Sequence, residues 1–341
     1  MDSEDSCSMK DEPTSAPSSQ SSYSRRAIVV VFALMGCAAL VMRNTESFVE
    51  SQEGVGAIEE VTETFTLTDS NSSLWKRQFC VEADDLKTET SFICKCTDPS
   101  LPLPRALHGE WIKYHWKMLI EVYREDHSNT LDVVLVGDSL IERWNGTQAL
   151  GQGEKPAMRK AFESFFTKAG GGKLEGVALG TSADTSRNLL WHLKHGFLPS
   201  KTFFPKVWLI LIGTNDLGGK HCSNQATLDG ILQVAELIQT HRPTAQILVH
   251  GLLPRGDGPP EPHQLGKNWQ RIQWINEQLQ ATCEERDRWH YMDSGDIFLS
   301  QDGTKVSKRI GDGIHPRVSG LKAWGPKIVE AVQKILSEDE D

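Results

Sequence analysis

Five short runs of aliphatic residues, separated by helix-length stretches, occupy residues 133–292 of this 341-residue chain. They are Val133–Val136, Leu174–Leu179, Val207–Ile212, Ile247–Leu253 and a weaker run at Trp289–Met292. A strand that is apolar without alternation is buried on both faces, as in parallel sheets whose crossover helices cover both sides. Helical stretches lie between the runs, near 156–168, 186–195, 225–241 and 265–286. Ahead of the first run, Trp111, Ile112, Tyr114, His115, Met118, Leu119 and Val122 recur at helical spacing, and a last amphipathic helix runs from Leu321 to Leu336. The pattern predicts an α/β three-layer sandwich, a five-stranded parallel sheet flanked by helices. No internal repeat is visible.

Charge excludes one class of partner. Lysine and arginine number 36 against 46 acids, a net −10, so there is no basic surplus to neutralise phosphates and a nucleic-acid partner is not expected.

The first hundred residues are organised differently. Residues 1–26 are rich in serine and acids, too poor in apolar surface to offset chain entropy, and are expected to be disordered. Arg25-Arg26 then precedes Ala27 to Met42, a run without charge that Arg43 closes. As a helix it spans roughly 24 Å, short against a hydrocarbon core of about 30 Å but tolerable with flanking arginines. Residues 27–42 are therefore expected to be an uncleaved single-pass anchor in an endomembrane such as the Golgi, with the amino terminus cytosolic and the rest luminal. The alternative is a cleaved signal peptide and a secreted protein. Residues 43–103 form a stem with Cys80, Cys94 and Cys96, in which a small disulfide loop from Cys80 to Cys94 or Cys96 is expected. Asn71-Ser-Ser and Asn145-Gly-Thr fit the glycosylation sequon. Residues 104–338 remain as the catalytic domain.

In a parallel sheet, ligands sit beyond the carboxyl ends of the strands. The first run ends in Gly137-Asp138-Ser139-Leu140, the second in Gly180-Thr-Ser-Ala183-Asp184 and the third in Gly213-Thr-Asn215-Asp216. Asp312-Gly-Ile-His315-Pro316 precedes the last helix. A serine, an amide, an aspartate and a histidine can thus meet at one rim, which is an acyl-transfer constellation. Singly, each block has a bland reading: Gly-Asp-Ser as a capped strand-to-helix turn, Gly-Thr-Asn-Asp as a plain turn. His192, His195 and His241 lie in polar helical contexts and read as surface or helix residues.

These blocks resemble the signatures of the GDSL/SGNH hydrolases. More closely, Trp111–Ser139, Gly180–Leu193 and Gly251-Leu-Leu-Pro-Arg-Gly256 are similar to the catalytic subunits of type I platelet-activating factor acetylhydrolases, over about residues 106–336. The resemblance implies the flavodoxin-like SGNH-hydrolase fold and a serine esterase without cofactor or metal. Ser139 would be the nucleophile, His315 the general base and Asp312 the group that orients it. Oxyanion donors would be the Ser139 and Ala183 N–H groups and the Asn215 side chain, with Asp138 and Asp184 supporting them. Relatives carry glycine where this chain has Ala183. Alanine keeps the N–H, and a negative φ is expected there, since alanine at positive φ is uncommon. The resemblance also implies a homodimer.

The expected activity is hydrolysis of short, acetyl-like O-acyl esters of a lipid or glycan. Two alternatives are a luminal glycan O-acyltransferase using the same acyl-enzyme, and a weakly active hydrolase-fold binding module.

Overall fold

The computed structural model describes residues 79–80, 96–105, 109–124, 131–256 and 264–339. The tail, the membrane-length run 27–42, Asn71 and Cys94 lie outside the described residues. Among the described residues no helix is long and apolar enough to cross a membrane.

All five expected strands form: β1 (Val133–Gly137), β2 (Gly176–Gly180), β3 (Val207–Leu211), β4 (Gln246–His250) and β5 (Trp289–Met292). They make one parallel sheet in the order β2-β1-β3-β4-β5, and β1 to β4 are buried along their whole length. Burial on both faces is why their sequences are apolar throughout. The helices follow the anticipated pattern: α1 (Glu110–Val122), α2 (Ser139–Glu142), α3 (Pro156–Phe166), α4 (Ser186–His192), α5 (Thr214–Gly219), α6 (Asn224–His241), α7 (Trp269–Glu284), α8 (Gly295–Phe298) and α9 (Val318–Glu338). Helix α3 packs on α9, while α6 packs on both α4 and α7, the layer arrangement that right-handed crossovers impose. Between α3 and α9, Trp144 stands 5.5 Å from both Phe166 and Trp324, ring centre to ring centre, all three fully buried.

Register sets the site. Gly137 of β1 pairs with Gly180 of β2 on one side and Leu211 of β3 on the other, so three strands end at one level. A Cβ on Gly180 would lie 2.3 Å from the Glu142 nitrogen, so glycine is what lets α2 cross the end of β2. The sheet's order changes direction between β1 and β3, and that switch point is where a crevice opens in doubly wound sheets.

Two expectations about the stem are revised. Cys96 is bonded to Cys222, 126 residues away, which removes Cys96 as a partner for Cys80; Cys80 is also oxidised, and its other expected partner, Cys94, lies outside the described residues. The cause is packing: Phe79, Cys80, Cys96, Cys222 and Ala226 form a small apolar cluster at the start of α6. Residues 96–105, read as the end of a stem, lie on the domain: Arg187 and Asn188 of α4 donate side-chain N–H groups to the carbonyls of Leu101 and Leu103, both at 2.7 Å. Asn145 is half-buried and donates one amide hydrogen to the Ala178 carbonyl of β2 at 2.7 Å.

Candidate active site

Ser139 opens α2 directly after β1, with Asp138 accepting the Leu140 N–H at 2.9 Å as its cap. The Ser139 Oγ lies 2.8 Å from His315 Nε2. His315 comes from the loop before α9. Asp312 fixes it three ways: Oδ2 lies 2.7 Å from His315 Nδ1, and Oδ1 accepts the Ile314 and His315 N–H groups at 3.1 and 2.8 Å. Gly313 makes this tight turn at φ +86°. With Nδ1–H donating to Asp312, the Nε2 lone pair faces the serine hydroxyl. Burial alone would raise the Asp312 carboxyl, but the bonds from His315 and Ile314 outweigh it and hold the group well below the ordinary range. Arg143, one turn after Ser139, donates to the Pro316 carbonyl at 3.3 Å and stands 3.9 Å from Asp312, fastening the histidine loop to α2.

The second block corrects an expectation. Ala183 has φ +63°, not a negative value. Its turn runs from Thr181 to Asp184, closed by the Asp184 N–H on the Thr181 carbonyl at 3.1 Å, with Ala183 at the third position, where turns with positive φ take glycine. Left-handed backbone costs alanine about 1–2 kcal/mol. Both neighbours are pinned. Ser182 donates its N–H to the buried Glu142 at 2.7 Å, and Arg105 donates to the Ser182 carbonyl. The Asp184 carboxylate, fully buried, accepts from Trp111 Nε1 at 2.7 Å and contacts His192 Nε2 at 2.9 Å. Surroundings this constrained can hold a strained residue in place.

Asn215, on the first turn of α5, donates to the Asp184 carbonyl at 2.9 Å and makes a long contact of 3.4 Å with Asp138 Oδ2. The first contact commits one amide hydrogen; the other is held only by the long contact to Asp138, which a developing oxyanion would have to displace. The N–H groups of Ser139 and Ala183 donate to no group among the described residues. Three donors from three strand ends are available to a developing oxyanion. Beneath them, burial pushes the Asp138 carboxyl up to about 8; the Leu140 N–H opposes this, and the nearby Asp184 and Asp216 carboxylates add to it. Burial also raises Asp216, although the Ser186 hydroxyl at 2.6 Å and its N–H offset part of the effect.

Every anticipated residue is at this rim. The sequence reading did not single out Glu142, Arg143, Arg105 or His192. His192, read as a surface or helix residue, is on a helix but 1% exposed; its signal was its spacing from Asn188 and Leu189 on the buried face of α4.

Comparison with known proteins agrees with the geometry. Over 232 residues the chain is 27% identical to the platelet-activating factor acetylhydrolase IB subunit alpha1 of Homo sapiens, covering 68% of this chain and 87% of that one. It is also 27% identical over 228 residues to the alpha2 subunit from Homo sapiens, covering 67% and 86%. Among solved structures, an acylhydrolase candidate from Bacteroides fragilis shares the fold with a TM-score of 0.52 at 19% identity, covering 67% of this chain and 99% of that one. Residues 135–323 match the GDSL-like lipase/acylhydrolase family, which takes in Ser139, Ala183, Asn215, Asp312 and His315; the chain belongs to that family and is a hydrolase acting on ester bonds.

Proposed function

We propose that this protein removes short acyl groups, acetyl foremost, from a lipid or glycan ester through a Ser139 acyl-enzyme. The observation that carries the reading is the 2.8 Å contact between Ser139 Oγ and His315 Nε2, with Asp312 2.7 Å behind the ring. In the first half-reaction His315 Nε2 takes the hydroxyl proton as Oγ bonds to the ester carbonyl carbon. Negative charge on the carbonyl oxygen is met by the Ser139 and Ala183 N–H groups and the Asn215 amide. Collapse breaks the bond to the leaving alkoxide, which receives the proton from His315. Water then repeats the sequence, giving up its proton to His315 and releasing the carboxylic acid with Ser139 restored. Asp312 keeps the ring in the required tautomer and balances the imidazolium. The acetyl preference is supported by the acetylhydrolase names of the relatives.

The same proposal puts residues 27–42 in an endomembrane of the secretory pathway with the catalytic domain luminal. It is supported by the Cys96–Cys222 bridge, since disulfides persist in oxidising compartments.

A hydrolysis screen of the full chain tests the reading, with p-nitrophenyl esters of increasing acyl length, acetylated glycans and short-chain phospholipids. Turnover should be greatest with acetyl and should vanish in Ser139→Ala without loss of fold. Turnover by Ser139→Ala near the wild-type rate would overturn the mechanism. Acyl transfer to an added sugar in preference to water would make it an acyltransferase.

A further inference from the structure

Behind Asp184 lies a buried pair of histidines that the reaction above does not use. His192 ends α4, His115 stands on α1, and each is 1% exposed. Their Nδ1 atoms are 2.7 Å apart, with the ring centroids 4.8 Å apart and the planes inclined by 27°, so the rings meet edge to edge. At the outer ends, His192 Nε2 is 2.9 Å from Asp184 Oδ2 and His115 Nε2 is 3.1 Å from the His195 carbonyl.

Proton counting constrains this chain of contacts. Both outer contacts end on acceptor oxygens, so both Nε2 atoms carry hydrogen. The inner contact joins two nitrogens and needs a hydrogen between them. The four ring nitrogens therefore hold three protons, one more than two neutral imidazoles do. The Trp111 N–H at 2.7 Å and the Arg105 guanidinium at 3.5 Å both donate toward Asp184 Oδ1, so the additional proton is assigned to the rings. Only His192 faces the carboxylate, at 2.9 Å, while His115 Nε2 faces a neutral carbonyl, which assigns the charge to His192.

We propose that His192 is held as an imidazolium between Asp184 and His115, and that this buried ion pair positions the Ala183 N–H as an oxyanion donor. The donor's role rests on the esterase reading; His115 and His192 as positioning residues go beyond it. Asp184 follows Ala183 directly, so a shift of the carboxylate moves the strained turn. Of the charged and titratable groups, Asp184 after β2 and His195 in the turn after α4 face the histidines themselves, while Arg105 from the segment 96–105, Tyr114 on α1 and Asp138 after β1 act on Asp184. Loss of the third proton at alkaline pH leaves two nitrogen lone pairs opposed, the rings part, and Asp184 loses its imidazolium partner.

The test uses the full chain labelled with 15N-histidine and 15N-alanine. At pH 7.5 one histidine should show both ring nitrogens protonated, and its signals should disappear in His192→Arg. On raising the pH, loss of that proton should shift the Ala183 amide resonance, identified by its absence in Ala183→Gly, at the same midpoint. Over the same range kcat should fall roughly tenfold with KM little changed, since small misplacement of a positioned donor costs rate. His192→Arg, which keeps a buried cation with N–H donors, should retain kcat and lack that alkaline fall. Only neutral imidazoles at pH 7.5, an Ala183 amide that ignores the titration, or an unchanged alkaline fall in His192→Arg would each overturn the proposal. If the wild type hydrolyses no ester, the esterase reading fails, while ring protonation and the Ala183 amide still decide the histidine pair. Should His192→Arg not fold, the wild-type spectra decide it.

Discussion

Ser182 donates its backbone N–H to Glu142 Oε2 at 2.7 Å, joining the residue before Ala183 to the last residue of the helix that Ser139 begins. The other oxygen of the same carboxylate accepts the Gly151 N–H at 2.8 Å. One buried side chain therefore sets the spacing between two strand ends and holds the loop beside them.

Glu142→Gln should be damaging although it changes no volume. Each oxygen of Glu142 faces a backbone N–H, so an amide nitrogen on either side opposes a donor to a donor. Leaving that donor unsatisfied should cost about 1–3 kcal/mol of stability, and kcat should fall with it. Wild-type urea midpoint and kcat in the variant would refute the bracing role.

Ala183→Gly should stabilise. The relief of left-handed strain, about 1–2 kcal/mol, exceeds the chain entropy that glycine adds, about 0.4–1 kcal/mol. A melting temperature higher by roughly 2–4 °C is expected for a gain near 1 kcal/mol, with kcat unchanged or raised. A lower melting temperature would show that the turn is not strained.

Asn215→Ala removes a donor that matures with the oxyanion. Loss of one such donor costs about 10²–10³ in kcat, and KM should change little. Steady-state kinetics on an acetyl ester decide it; an effect confined to KM would place the amide in ground-state binding.

Asp138→Asn should alter the pH dependence of stability. The native carboxyl keeps its proton up to about 8, against 3.8 for a free side chain. Between those values the folded state binds more protons than the unfolded one, so wild-type stability declines as pH rises through that window. A single group contributes a slope approaching about 1.4 kcal/mol per pH unit. Asparagine keeps the cap on Leu140 and removes the titration, so the variant should gain on the wild type between pH 5 and pH 8 in urea melts. A constant difference across that range would contradict the raised carboxyl.

Cys222→Ser should lower stability by roughly 2–5 kcal/mol, and reductant should lower the wild type by at least as much, since it also opens the bridge that Cys80 makes. Equal denaturation midpoints with and without reductant in the wild type would remove the bridge from any stabilising role.

What could be read from the chain followed physical periodicity. Val133–Val136 and Val207–Ile212 were legible because burial on both faces leaves an unbroken apolar run, and Ser139, Asn215 and His315 because each follows a strand or precedes the last helix. His115 stood in the apolar stripe of α1. Three features were not legible. Cys96 and Cys222 are partners only because the segment 96–105 folds back along α4. The φ of Ala183 is imposed by bonds to Glu142, Arg105 and Asp184, all distant in sequence except the last. His192 read only as part of a polar helical stretch because its partners, His115 and Asp184, come from another helix and a strand end.

The Cys96–Cys222 bridge also decides where tension enters the domain. A pull on the chain ahead of Cys96 passes through the sulfur atoms to Cys222, just before α6 begins at Asn224. Residues 97–105 then lie off the line of force, and Arg105 keeps its hold on Ser182 and Asp184 without bearing load. Load applied to the chain ahead of Cys96 is thus mechanically isolated from the Ser182–Asp184 turn.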